Sequence, residues 1–217
     1  MPKAISMQTL QRLPLYLQYL KTLPDDANIS ARALGAEFGF GEIQVRKDLA
    51  AVSDGGRPKL GYAVSELRRD IACALGCNNV NDAVLVGAGR LGRALLSYEG
   101  FSEYGLNIVA AFDANKEKCG RDNSGKQIFP IEKLRDLCRR MKIEIGIITV
   151  PAHAAQEVCA MLCEAGIRAV WNFAPAHLSV PAGVLLKNEN MAASLAVLSQ
   201  HLAAETLSSD SEKEKAT

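Results

Sequence analysis

The apolar run Val84-Leu85-Val86 breaks at Gly87-Ala88-Gly89-Arg90-Leu91-Gly92 and passes into a helical pattern. A Gly-x-Gly-x-x-Gly placed between a strand and a helix makes three separate physical demands. A tight turn needs Gly87, close approach of the backbone to a pyrophosphate needs Gly89, and packing of helix on strand favours Gly92. The amides that open the helix, around Arg90 and Leu91, then face the phosphates. The whole loop from Gly87 to Gly92, Ala88 included, is thus a candidate dinucleotide cradle, although plain turn chemistry also puts glycines between strands and helices. A second β-like run, Asn107 to Phe112, ends in Asp113, about twenty residues on, where an acid meets the ribose hydroxyls of NAD. An acid there repels a 2′-phosphate, so NAD is expected over NADP, with Lys116 close by as the one contrary cation. An Asx turn at Asp113 leading into Asn115 and Lys116 is the ligand-free alternative.

Size and composition bound the rest. At 217 residues the chain can hold two modest domains. Its formal charge of +1 gives no overall attraction to polyanions, so any nucleic-acid surface must be local. No apolar run reaches membrane-spanning length, and Met1 to Leu10 lacks the blocks of a secretory signal, so a cytoplasmic protein with no membrane partner is expected. The six cysteines do not form a Cys-x-x-Cys pair and are expected to be buried small hydrophobes rather than a metal set.

Along the N-terminal part, Leu10, Leu13, Leu17 and Leu20 recur at helical spacing, with Pro14 expected to start or kink that helix. Ser30 can cap a short helix, Ala31 to Phe38, which stops at Gly39. A third helix, Glu42 to Val52, is expected to bury Ile43, Val45, Leu49 and Val52 and to present Gln44, Arg46, Lys47 and Asp48 elsewhere. The turn Gly55-Gly56-Arg57-Pro58-Lys59 then returns through β-favouring residues at Tyr62. This is the outline of a winged helix, in which Gln44, Arg46 or Lys47 meets phosphates and base edges and Arg57 or Lys59 reaches the backbone or minor groove. A small helical domain with a solvated charged face remains the bland alternative.

Ser65 is expected to cap a further helix to Leu75, and Gly76 to Asn79 marks a boundary, after which strands and helices alternate. The continuous apolar run Glu144 to Val150 fits a parallel strand covered on both faces. Strand ends on the carboxyl side of an open sheet make Val150, Pro151, Asn172, Phe173 and Pro175 candidates for the nicotinamide end. Leu195, Leu198 and Leu202, with Met191 and Val197 nearby, predict a terminal helix, Asn190 to Glu205, and Ser208 to Thr217 is polar.

A winged helix followed by an NAD-type Rossmann domain and a terminal helix closely resembles the Rex family of redox-sensing transcriptional repressors. The resemblance covers residues 6 to 204. It rests on Gln44-Val45-Arg46-Lys47-Asp48-Leu49, Gly61-Tyr62, the glycine loop with Tyr98 and Gly100-Phe101, Ala111-Phe112-Asp113, Thr149-Val150-Pro151 and Asn172-Phe173-Ala174-Pro175. It implies a homodimer with swapped terminal helices that holds palindromic double-stranded operator DNA when NAD⁺ prevails and releases it when NADH binds. It further implies that Arg46, Lys47 and Lys59 contact DNA, where Ser30, Gln44, Arg57 and Tyr62 are further candidates, and that Tyr98 sits near the nicotinamide and helps sense its state. The expected organisation is a winged-helix domain over 1–78, a Rossmann domain over 79–187, a dimer helix over 188–205 and a disordered tail over 206–217. Two positions depart from the family: Gln18 stands where an arginine is common and Asn190 where an aspartate is. They replace a state-dependent ion pair across the subunits with neutral amides, which predicts a weaker switch.

The competing classes are an NAD-dependent oxidoreductase and a CoA-binding module. Hydride transfer needs an acid or base beside the substrate, and of His153, His177 and His201 only His153 falls near the expected nicotinamide. A CoA module would leave the basic third helix and wing without a purpose.

Overall fold

The computed structural model describes residues 5–79 and 81–190, and beyond them positions 192, 193, 195, 196, 199, 200 and 202. The described chain divides into two compact units. The first holds the residues up to Asn79 together with Glu99–Leu106, and the second holds Asn81–Tyr98 and the residues from Asn107 onward.

In the first unit, Ser6 caps α1 (Met7–Leu20) by accepting the Thr9 amide at 3.1 Å. Pro14 lies inside this helix rather than at its start. Leu13, Tyr16, Leu17 and Leu20 around it are all buried, so tertiary packing holds the turns on either side. After β1 (Asn28–Ile29), Ser30 caps α2 (Ala31–Phe38) through the Ala33 amide at 3.0 Å. Next come α3 (Glu42–Val52), β2 (Tyr62–Ala63), antiparallel to β1, and α4 (Val64–Ala74). Between α3 and β2 the chain closes a tight loop through an Arg57–Gly61 bridge, the wing.

Three expectations need correction here. Ile43 is 70% exposed and Asp48 only 1%. At 100° per residue Ile43 points 200° away from Val45, whereas Val45, Asp48 and Leu49 share one stripe. The Ser65 cap is absent, because α4 begins one residue earlier and its N-cap is Ala63, with no side-chain bond. Of the cysteines, all free thiols, Cys138 and Cys159 are buried but Cys73 is exposed, again 200° from the buried Ile71 on its helix. Burial pushes the Cys138 thiol up to about 11, and burial with the neighbouring Cys163 does the same for Cys159.

The second unit is a seven-stranded sheet in the order β5-β6-β4-β3-β7-β8-β9. Its elements are β3 (Asn81–Val86), α5 (Arg90–Leu96), β4 (Leu106–Asp113), β5 (Gly120–Arg121), β6 (Gln127–Pro130), α6 (Leu134–Met141), β7 (Ile145–Ile148), α7 (Ala152–Glu164), β8 (Ala169–Asn172) and β9 (Leu185–Asn188). β5 pairs antiparallel on β6, whereas β4–β6, β3–β7, β7–β8 and β8–β9 are parallel. The chain builds outward from β3 through β4 and β6, then crosses back to lay β7 on the other side of β3. That reversal puts the switch point of the sheet between the carboxyl ends of β3 and β7, where open α/β sheets bind ligands. The buried core includes Val84, Val86 and Phe112 from the sheet and Leu134, Val158 and Leu162 from helices.

Beyond β9 the described residues from Ala192 are helical, with Leu195 and Leu202 exposed. Met191, Val197, Leu198, His201 and the 206–217 tail lie outside the described residues. Among the described residues no helix is long and apolar enough to cross a membrane.

Candidate ligand cleft and nucleic-acid face

The loop after β3 is fixed by two close approaches. Gly87 has φ +106, and a Cβ there would stand 2.8 Å from the Thr149 carbonyl carbon. At Gly92 a Cβ would lie 1.9 Å from the Gly87 oxygen. Neither position admits a side chain. Thr149, at the end of β7, locks the arrangement by donating its hydroxyl to the Gly87 carbonyl at 2.7 Å. Gly89 differs, because a Cβ there would meet nothing within 4 Å. Its bare backbone borders a cavity of about 550 Å³ at the switch point, together with Asp113, Thr149, Val150, Phe173 and Pro175. That volume lies within the range of small-molecule and cofactor sites.

Asp113, at the end of β4, is 8% exposed and already ligated. Its Oδ2 accepts the Ala88 amide at 2.8 Å and the Lys118 ammonium at 3.2 Å, and its Oδ1 accepts the Asn115 amide at 2.8 Å. The Asx turn and the acid at the cleft therefore coexist in one carboxylate. The cation on it is Lys118 rather than Lys116, because the 3₁₀ turn Lys116–Lys118 brings Lys118 back onto the strand end. The Ala88 amide is spent on Asp113, so it anchors the loop and is not a free phosphate donor. Arg93 adds a further tie by donating Nε to the Ala88 carbonyl at 3.2 Å.

The cavity also brings together Pro151 and His153. Arg90, Leu91, Gly92 and Tyr98 are not among its lining residues, and Tyr98 is 59% exposed. Asn172 is buried and turned inward. Its amide donates to the Ala174 and Ala176 carbonyls and to Asn188, and its oxygen accepts the Ala174 amide, so it shapes the loop that presents Phe173 and Pro175. Thr149 and Lys118 were missing from the expected site residues. The signal for Thr149 was a hydroxyl closing an apolar strand; nothing local distinguished Lys118 from Lys116.

In the first unit a second concavity, about 500 Å³, gathers Ser30, Arg46, Arg57, Lys59 and Tyr62. Arg32 joins them, a cation on the exposed side of α2 that the sequence reading passed over. Gln44 and Lys47 are exposed on α3 without lining this groove. Ser30 is committed to capping α2, and Arg46 is ion-paired with Glu42 one turn back. Lys59 sits at the wing tip with φ 65, an uncommon backbone for a residue with a side chain. Beneath this face Asp48 is a hub of hydrogen bonds. It accepts Arg12 Nε at 2.7 Å, Arg12 Nη2 at 2.8 Å, the Thr9 hydroxyl at 2.9 Å and the Tyr16 hydroxyl at 2.9 Å. Burial alone would raise its carboxyl, but these donors outweigh burial and hold it below the ordinary carboxylate value.

A winged helix bearing a cationic groove, in one chain with a doubly wound sheet and an open cleft at its switch point, defines a DNA-binding regulator with a ligand domain. Known proteins agree. Residues 78–176 match the family described as "CoA binding domain", and residues 4–50 match "Putative DNA-binding protein N-terminus". The redox-sensing transcriptional repressor Rex of Clostridium perfringens is 38% identical over 90% of this chain and 93% of its own. That of Clostridium botulinum is 40% identical over 90% and 94%. Among solved structures, RSP in complex with beta-NAD+ and operator DNA superposes with a TM-score of 0.87 at 35% identity, covering 97% of this chain and 98% of that one. RSP in complex with beta-NADH gives 0.86 at 35%, covering 95% and 98%. The chain belongs to the Rex family of redox-sensing transcriptional repressors.

Proposed function

We propose that this chain binds NAD⁺ and NADH in the cleft after β3 and palindromic double-stranded operator DNA through α3 and the wing, and that NADH releases the DNA. The observation that carries the reading is the difference among the three loop glycines. Gly87 and Gly92 are demanded by the protein's own packing, whereas Gly89 caps α5 at the edge of the cavity with no protein atom near its missing Cβ, which leaves its backbone open to close approach by a pyrophosphate. Asp113, at the end of the neighbouring strand, is the ribose acceptor. Val150, Pro151, Phe173 and Pro175 form the nicotinamide end, with Tyr98 as the residue that reports its state. Arg32, Arg46, Arg57 and Lys59 meet DNA phosphates, and Gln44 and Lys47 reach the groove from α3.

The working unit is a homodimer in the cytoplasm, with a winged-helix domain over 1–78, a Rossmann domain over 79–187 and the segment 188–205, helical at its described residues from Ala192, swapped between subunits. A mobility shift on a palindromic operator, with NADH titrated against a fixed excess of NAD⁺, tests the reading. Release at submillimolar NADH is the expected result. Calorimetry is expected to give heat with NADH and none with coenzyme A; the reverse would move the cleft to the CoA class.

A further inference from the structure

Between α5 and β4 the chain leaves the sheet unit. Residues 99–106, a 3₁₀ turn over Glu99–Tyr104 followed by Gly105 and the first residue of β4, pack with the N-terminal unit instead. Two of the attachments are at Gly105 and Lys21. Gly105 is buried at φ +71, and a Cβ there would stand 2.5 Å from the Asn79 carbonyl oxygen and 2.8 Å from that of Cys77. Only glycine fits so close a backbone contact. At the other attachment Lys21, which follows α1, pairs with Glu103 at 2.5 Å and lies over the Tyr104 ring at 5.8 Å.

The elements on either side of this segment each have one end at the cleft. α5 starts at the glycine loop and runs to Leu96, with Tyr98 only two residues beyond its end. β4 ends at Asp113. A seven-residue helix spans only about 10 Å, so a shift at its cleft end is carried to residue 98 with little slack. From Tyr98 to the first docked residue there is a single peptide bond.

We propose that residues 99–106 are a strap that transmits the cofactor state from Tyr98 to the DNA-binding unit, with Gly105 as its anchor and Lys21 as its clasp. The inference rests on the reading that NADH releases the operator, and it adds the route. A ligand shifts a two-state equilibrium only through what differs between the states, so coupling should fail when the strap is undocked even though both ligands still bind. Lys21, Glu103 and Gly105 touch neither the cleft nor the cationic groove, which separates a coupling defect from a binding defect.

The test uses the full chain and a palindromic duplex selected on it from a random library. Anisotropy gives duplex affinity with NAD⁺ and with NADH, and fluorescence gives NADH affinity, for the wild type, Gly105→Ala, Lys21→Ala and the exchange Lys21→Glu with Glu103→Lys. For the wild type, NADH should weaken duplex binding by about 5- to 150-fold, the usual span of such couplings. In Gly105→Ala that ratio should fall to within about twofold of one, and in Lys21→Ala it should fall at least threefold, while NADH affinity stays within about twofold. The charge exchange should restore part of the ratio lost in Lys21→Ala. If Gly105→Ala proves unfolded by circular dichroism, the Lys21 series decides alone. Wild-type ratios in both alanine variants would overturn the strap. A wild-type duplex affinity that ignores NADH would overturn the functional reading, and the strap with it.

Discussion

The three loop glycines make opposite demands on mutation. An alanine at Gly92 would put its Cβ 1.9 Å from the Gly87 oxygen, so either the helix start or the strand end must give way. An alanine at Gly89 meets no protein atom within 4 Å. Gly92→Ala should therefore lower the thermal midpoint by several degrees, since about 1 kcal/mol shifts a domain of this size by about 2–8 °C. Gly89→Ala, which loses only a favourable helix cap, should lower the midpoint less than Gly92→Ala and weaken NADH at least tenfold, because on the proposed reading its methyl occupies the place of the pyrophosphate. Differential scanning fluorimetry with and without NADH reads both effects. A Gly89→Ala protein that binds NADH as the wild type does would remove the cradle from the reading. The motif disclosed this site because its spacing encodes backbone geometry, which a short stretch of sequence carries in full. Lys118 was not legible in the same way. Its position depends on how a three-residue turn folds back onto β4, and Lys116 stands equally close in sequence.

Among the elements, α3 shows how a buried acid can hold a recognition helix in place. Asp48 is bonded to Arg12, Thr9 and Tyr16, partners 32 to 39 residues away in sequence on α1, so it fixes α3 against α1 from inside the unit. Because its carboxyl lies below the ordinary value when folded, its contribution is present above the unfolded carboxylate range, near about 4, and is lost as pH falls through the folded value. Acid should thus open the α1–α3 contact first. Asp48→Ala removes the charge at every pH and leaves Thr9 and Tyr16 without their acceptor and the part-buried Arg12 without its counter-ion, a loss of about 3–5 kcal/mol by analogy with other broken buried pairs. Hydrogen exchange read by mass spectrometry should show α1 and α3 losing protection in the variant at neutral pH, and in the wild type only below about pH 4. Equal protection in variant and wild type would show that the hub is dispensable. The helix itself was plain from its apolar spacing, but its inner face was not. Asp48 looked like one more solvated charge because nothing near it in sequence reveals a partner some 36 residues away, and Ile43 looked buried because it is apolar, although 100° steps put it opposite Val45. The strap over 99–106 was hidden for a related reason. Eight residues carry too little periodicity to reveal that they belong with the other unit.

For the whole molecule, the size of the redox response depends on how differently NADH interacts with the released and DNA-bound states. The resemblance to the Rex family implies that Gln18 of one subunit meets Asn190 of the other in one state and not in the other, at positions where arginine and aspartate are common in the family. Both side chains are exposed, and Asn190 also accepts the Ala193 amide at 2.9 Å, capping the terminal helical residues. A neutral hydrogen bond contributes about 1 kcal/mol and a charged one about 1.5–3, so a neutral pair at these positions would narrow the gap between the two states. Replacing Gln18→Arg together with Asn190→Asp should widen the ratio of duplex affinities with NAD⁺ and NADH by about 2- to 10-fold, on the rule that about 1.4 kcal/mol is tenfold. Asn190→Asp alone also puts a negative charge at the start of the terminal helical residues, so the two single variants are needed to complete a double-mutant cycle. The interaction term should be non-zero only for the affinity ratio and vanish for NADH binding to the free protein. A purely additive cycle would mean that these two positions do not meet in either state, and the switch would then rest on Tyr98 and the strap without help from the terminal helix.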